Sequence, residues 1–338
     1  MKLIELHILQ SFPVSCLNRD DLGSPKTAIF GGVTRARISS QCLKRTSRMV
    51  AKENHPGFAG IRSRHLLQPF ESALIEEGID AEAAKEQAEK LCAIFSKPDK
   101  NDTQQVTTAV FLSPSEIEQI AKAVASGDDP KKAAKKATRN DAADIALFGR
   151  MIANDANLNI EGAAMFSHAL STHEANNELD FFTAVDDRKE DAEDAGAGMI
   201  GTLEYSSATY YRYIAVNLDL IKAPTHLGEL TSDERKAILN AFLRAAITAV
   251  PNARKNSMNA ATLPFEVLGI RKDSGQPLQL VNAFEKKVKS TEEGYENESL
   301  KRMKAHLEKV EDIWGKQGEK IWLTEEGFDQ FVEKLLAE

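Results

Sequence analysis

The chain has 338 residues, 42% of them hydrophobic, and a formal net charge of -8. That length and composition allow a sizeable core in one large domain or two smaller ones, and exclude a disordered chain and an indiscriminate nucleic-acid binder. Met1 to Leu6 contains no signal-peptide core and no apolar run approaches bilayer length, so the expected location is cytoplasmic, with no membrane partner. Cys16, Cys42 and Cys92 are odd in number and widely spaced, which predicts reduced, partly buried thiols rather than a zinc grip or redox dithiol.

Leu3, Ile4, Leu6, Ile8 and Leu9 predict a buried strand over 2–9, followed by turns at Asn18-Arg19-Asp20 and Gly23-Ser24-Pro25. From Ser24 to Arg48 there are six basic residues, Lys26, Arg35, Arg37, Lys44, Arg45 and Arg48, and no acidic one. In an acidic chain this island points to a localised polyanion contact, with Gly31-Gly32, Ser39-Ser40 and Gln41 offering further donors; a solvated basic face is the competing reading. A helix begins at Ser39 or Ser40, with Leu43, Thr46 and Val50 on one side and Lys44, Arg45 and Arg48 sharing the other. Its serine caps leave free N–H groups near any bound phosphate.

An amphipathic helix is predicted over 80–95 and a strand over 105–112. Ser113-Pro114-Ser115-Glu116 then supplies an N-cap, a proline at the first helical position and a capping glutamate, predicting a helix over 114–125. A second basic cluster follows Asp129-Pro130: on a helix Lys132, Lys136 and Arg139 line one stripe, with Lys131 and Lys135 beside it. It reads equally as a phosphate-contacting ridge or a solvated face. Residues 145–152 form a short apolar element, and 157–169 reads as helical. From Glu174 to Glu204 ten acidic residues face only Arg188 and Lys189. This predicts a hairpin tip or lid between strands at 180–185 and 199–203.

Tyr210, Tyr211 and Tyr213 lie in a β-favouring run, where Tyr211 and Tyr213 share a face that either stacks on bases or packs in the core. Thr231-Ser232-Asp233-Glu234 is a capping box opening a helix that Pro251 stops. A polar loop over 252–259 carries Arg254 and Lys255. A strand over 265–270, a mixed-charge stretch from Glu285, a helix over 300–314 and a capped helix near Thr324 complete an α/β or α+β pattern without repeats.

Chemistry is not concentrated anywhere. The seven histidines form no metal-ligand motif, and there is no phosphate loop, nucleophile elbow or cofactor signature. Asp20-Asp21 and Asp186-Asp187 read as turn or solubility doublets. His173 is a candidate acid or base for RNA cleavage but has no identifiable companion, which favours a structural or contact role.

The order Leu6-His7-Ile8-Leu9-Gln10, Leu17-Asn18-Arg19-Asp20-Asp21-Leu22-Gly23, Pro25-Lys26-Thr27-Ala28, Phe30-Gly31-Gly32-Val33 and Arg35-Ala36-Arg37-Ile38-Ser39-Ser40-Gln41 resembles the CasC backbone-subunit family of the CRISPR type I-E Cascade complex. Leu147-Phe148-Gly149-Arg150-Met151, Ser171-Thr172-His173, the run Asp180 to Asp187, Val250-Pro251, Lys255-Asn256-Ser257 and Asn282-Ala283-Phe284-Glu285-Lys286 extend the resemblance across most of the chain. Met258-Asn259-Ala260 departs from a family pattern that carries an aromatic and a histidine.

The resemblance implies an α+β fold in one elaborated unit over 1–338: a modified RNA-recognition-motif (ferredoxin-like) palm, helical fingers near 50–140 and a protruding hairpin thumb near 174–204. It implies a non-catalytic subunit that polymerises head-to-tail along CRISPR guide RNA, with further copies of itself and other Cascade subunits, and supports binding of target DNA. Carried onto this sequence, Lys26, Gly31, Gly32, Arg35, Arg37, Ser39, Gln41, Lys44, Arg45 and Arg48 become guide-RNA contacts, joined by Lys255. Phe182, Thr183 and Leu203 become thumb contacts around a displaced nucleotide, and Met151 a palm-side wedge. Lys131, Lys132, Lys135, Lys136 and Arg139 become target-DNA contacts. No metal or cofactor is implied. The competing readings are an RNA-processing endonuclease using His173 or His7, and a protein-only scaffold whose basic patch binds an acidic partner.

Overall fold

The computed structural model describes residues 1–102, 104–184, 199–251 and 253–337. Strand β1 (Leu3–Ser15) is followed by the hairpin β2 (Thr27–Phe30) and β3 (Val33–Ile38), then helix α1 (Ser40–Asn54). A helical insertion contains β4 (Ile61–Ser63), α2 (Leu67–Glu76), α3 (Ala81–Phe95), β5 (Val110–Leu112), α4 (Pro114–Ala125), α5 (Pro130–Lys136) and α6 (Ala143–Phe148). The chain returns through β6 (Ala164–Phe166), β7 (Ala169–Ser171), β8 (Glu178–Ala184), β9 (Met199–Asn217), α7 (Leu218–Ile221), α8 (Ser232–Thr248) and β10 (Glu266–Lys272). It closes with α9 (Glu296–Trp314), β11 (Glu319–Trp322), α10 (Leu323–Glu326) and α11 (Phe328–Leu335). This is an α+β fold, and none of the described helices is long and apolar enough to cross a membrane.

The main sheet runs β11-β10-β1-β9-β7-β3-β2, with β6 and β8 also paired to β9. Ile4, Leu6 and Ile8 of β1 point to one face, opposite Val216, Ile214 and Arg212 of β9. There they pack with Ala51 of α1 and with Ile238, Phe242 and Ala245 of α8. The alternate residues carry Leu9 with Tyr211, Tyr213, Leu268 and Ile270 into a second core closed by Leu280, Phe284, Met303 and Leu307. Both sheet faces are therefore covered, which accounts for the near-continuous apolar run of β1.

Polar residues on so buried a strand need partners. Glu5 pairs with Lys272 at 2.6 Å and accepts from the Tyr213 hydroxyl at 2.6 Å. Tyr211 accepts from the Leu280 N–H at 2.8 Å, and its hydroxyl shares a hydrogen bond with His7 Nδ1 at 2.9 Å. Gln10 accepts from Arg212, whose guanidinium also donates to the Ala246 carbonyl at 2.6 Å, at the C-terminal end of α8. The tyrosine pair is thus core, the second of the two readings that its strand pattern left open.

The insertion has its own core, drawn from Leu66 to Leu158. Ser113 caps α4 by accepting from the Glu116 N–H at 3.1 Å. The Glu116 carboxylate does not reciprocate as a capping group: it is buried between Arg150 at 2.7 Å and Arg139 at 2.9 Å. The expected strand over 105–112 contracts to β5, because the hydroxyls of Thr107 and Thr108 bond to Ser96 Oγ and hold the preceding segment in turns. The expected helix over 157–169 is replaced by a single 3-10 turn (Ala156–Leu158) and by β6 and β7, since pairing with β9 outweighs the helix propensity of its alanines. The buried face of α1 is Leu43, Ser47 and Ala51, one position beyond Thr46 and Val50. At the C-terminus, Gly327 (φ 76°) separates α10 from α11, so the final helix starts at Phe328 rather than near Thr324.

Strand β9 is 19 residues long, but only its part from Ser206 onward pairs with β1; the earlier part pairs with β8. At about 3.3 Å per residue, this antiparallel hairpin stands roughly 20 Å beyond the sheet. The acidic stretch expected at its tip, including Asp186-Asp187, lies outside the described residues.

Candidate nucleic-acid interface

The basic segment is laid out on a rigid frame of loop, hairpin and helix end. Asp20 Oδ1 accepts from the backbone N–H groups of Leu22 and Ser24, both at 2.9 Å, which gives this acidic residue a turn-forming role. Gly31 and Gly32 both have positive φ, 60° and 78°, the conformation a two-residue hairpin turn between β2 and β3 requires. A Cβ on Gly31 would lie 1.7 Å from the Glu285 carbonyl oxygen. The close approach expected there is thus made by this chain's own backbone.

Ser39 is the N-cap of α1, its hydroxyl accepting from the Cys42 N–H at 3.3 Å while its own N–H donates to Asn18 Oδ1 at 2.9 Å. The hydroxyl is therefore engaged in capping, and the residue is largely buried. The next N–H, of Ser40, donates to His168 Nδ1 at 3.1 Å. Gln41 and Arg45 lie exposed on the first turns of α1, with Lys44 half-buried beside them. Lys44 Nζ lies 5.9 Å from the centre of the Phe166 ring, and burial lowers its pKa. Lys26 and Arg37 approach the same helix end: their charges act on His168, and that of Lys26 also reaches Cys42, as does that of Arg45. The Arg37 Nε–H is held by the Thr27 carbonyl at 3.0 Å.

Two arginines of the segment are diverted. Arg35 is fully buried, and its guanidinium donates to the carbonyls of Phe30 at 3.2 Å, Ser171 at 3.1 Å, Phe284 at 2.8 Å and Glu285 at 3.2 Å. It clamps the hairpin to β7 and to the segment under α9, and has no face for a guide phosphate. Arg48 binds Asp144 at 2.8 Å and the Gly60 carbonyl at 2.7 Å, stacked over Phe111. It joins α1 to the helical insertion, which corrects its assignment as a backbone contact.

Lys255, 210 residues beyond Arg45, is brought near the same region: its loop lines a cleft with Cys16 and Leu17, and Ala253 with Leu17 also lines the neighbouring cleft that holds Arg19 and Arg45. Arg19 and Arg254 thereby extend the basic rim, although the sequence signal for Arg19 was only that of a turn. Met151 is 84% exposed but follows the buried Arg150, at the edge of the insertion core. On the protruding hairpin Phe182 lies over Gly201, Thr183 is exposed and Leu203 pairs opposite Asp180. Lys131, Lys132, Lys135 and Lys136 are exposed on α5, with Lys135 only 3.5 Å from Asp155. Helix α5 ends at Lys136, so Arg139 leaves the expected stripe and turns inward to Glu116.

The histidines considered for acid–base work are held inside the protein. His173 Nδ1 donates to the Glu174 carbonyl at 2.8 Å, Nε2 accepts from the Thr209 N–H at 3.1 Å, and the ring stacks on Tyr295 at 3.7 Å. His7 is buried, and that burial, with the nearby Lys272 charge, pushes its pKa down to about 3.

A model of the CT1975-like protein family matches residues 4–336. Among solved structures, a chain of a "CRISPR RNA-guided surveillance complex, pre-nicking" is 28% identical, covering 95% of this chain and 91% of its own length, with a TM-score of 0.76. A chain of a "CRISPR RNA-guided surveillance complex" is 26% identical, covering 95% and 87%, with a TM-score of 0.59. No curated protein matches. The chain is homologous to components of CRISPR surveillance complexes.

Proposed function

The chain belongs to the CT1975-like protein family, and from that premise we propose that it is a non-catalytic CasC-type backbone subunit that polymerises in the cytoplasm along CRISPR guide RNA and supports RNA-guided binding of target DNA. The observation that carries this reading is the cluster at the start of α1: Lys26, Arg37, Gln41, Lys44 and Arg45 converge from a loop, a hairpin and a helix end. Cations on a fixed frame around single-stranded RNA read its sugar-phosphate backbone without reading sequence.

The palm reading rests on the order of core elements. Taken as β1, α1, β7, β9, α8 and β10, they form a β-α-β-β-α-β unit whose sheet order is fourth-first-third-second. An unmodified RNA-recognition motif stacks bases on its open sheet face. Here that face is closed by α9 and the 280–288 segment, which supports a modified motif that takes RNA at the sheet margin. The insertion from Ile61 to Leu158 is the proposed fingers, with the α5 lysines as target-DNA contacts. The β8–β9 hairpin is the proposed thumb, bringing Phe182, Thr183 and Leu203 to a displaced nucleotide. Burial of His7 and engagement of both His173 nitrogens support a role without cleavage.

The test is binding to a CRISPR transcript at two salt concentrations. Lys44→Glu with Arg45→Glu is expected to weaken binding by at least about tenfold on unrelated spacer sequences and to flatten the salt dependence. Undiminished affinity in that variant, with its fold intact, refutes the interface.

A further inference from the structure

We propose that His168 is a further guide-contacting residue, locked as a neutral imidazole whose Nε2–H is presented to an acceptor oxygen of the RNA sugar-phosphate backbone. The inference rests on the guide-binding reading and adds to its interface a residue that stands in no sequence motif.

The argument begins with the tautomer. The Ser40 backbone N–H donates to His168 Nδ1 at 3.1 Å, so Nδ1 supplies a lone pair and the ring proton resides on Nε2. His168 immediately precedes β7, whose Ala169 pairs with Ile38 of β3. That pairing fixes the ring beside the first turn of α1. The side chain is exposed, and among the described residues Nε2 has no hydrogen-bond partner within the chain.

Its charged neighbours are Arg37 of β3 and Lys26 of the preceding loop, and burial together with these two cations holds the imidazole below its usual pKa. Protonating Nδ1 would also set an N–H against the Ser40 backbone N–H, donor against donor. The ring therefore remains a neutral donor in the field of two nearby cations. A polyanion drawn in by Lys26 and Arg37 meets a directional N–H whose contribution does not depend on counterion release. This differs from the neighbouring lysines, which attract charge but do not fix geometry.

The experiment uses the full chain and a fluorescent single-stranded RNA of CRISPR-transcript sequence, titrated over a salt series. His168→Asn retains an acceptor for the Ser40 N–H and removes the outer donor; His168→Gln retains an outer donor. The asparagine variant is expected to melt with the unsubstituted protein, bind about three- to tenfold more weakly, and keep the same salt slope. The glutamine variant should recover most of the affinity. Unchanged affinity in His168→Asn overturns the proposal, as does a loss that tracks a fall in melting temperature in both variants. If Lys44→Glu with Arg45→Glu weakens binding while His168→Asn does not, the role of His168 fails and the guide reading stands. If the unsubstituted chain binds no RNA, both fail.

Discussion

The basic segment leading into α1 and the basic cluster of α5 look alike in sequence, yet the fold treats them differently. In the first, Arg35 and Arg48 are turned into internal clamps, and what remains free is distributed over a loop, a strand and a helix start. In the second, Arg139 is drawn into the Glu116 pair, and what remains exposed is a set of lysines on one seven-residue helix, Lys135 of which pairs with Asp155. A cation that internal acceptors engage completely has no donor left for a ligand, as with Arg35. The α1 site holds its donors in fixed directions from several elements and so can set the path of a strand. The α5 lysines are point charges on one element, which attract a polyanion without fixing its path.

The largest effects should come from removing the clamps. Glu116→Ala leaves Arg150 buried without its counter-charge and is expected to destabilise the insertion by about 3–5 kcal/mol, read as a lower melting temperature. Arg35→Ala strands buried carbonyls in the palm and should cost about 3 kcal/mol. Equal melting of either variant and the parent protein would show that these arginines are not structural. A smaller effect separates the two basic sites: Lys132→Glu with Lys136→Glu should leave guide affinity within about twofold while weakening capture of target DNA by about three- to tenfold. A loss of guide binding comparable to that of the Lys44 and Arg45 double variant would erase the distinction between the clusters.

Much of the frame could be read directly because its signals are local. Ser39, Ser113 and Thr231 each cap the helix their sequence announces. The helix expected over 157–169 failed because β6 and β7 exist only through pairing with β9, some 40–50 residues away in sequence. The fates of Arg35, Arg48 and Arg139 were hidden for the same reason. Their acceptors at Phe284, Asp144 and Glu116 lie far along the chain, and no spacing rule distinguishes such arginines from their exposed neighbours. Resemblance supplied the candidate contact set, whereas the structure separated free donors from engaged ones, brought Arg19 to a cleft with Arg45 and Arg254 to one with Lys255, and set His168 at the start of α1.

The central claim is that copies of this chain assemble along a guide, and it is tested most directly by the mass of the purified protein on RNAs of increasing length. The account predicts that bound mass rises in whole-subunit steps as the RNA lengthens, that the RNA is protected and remains uncut, and that the Lys44 and Arg45 double variant abolishes the steps. A mass independent of RNA length, or cleavage of the RNA by the chain alone, would contradict it.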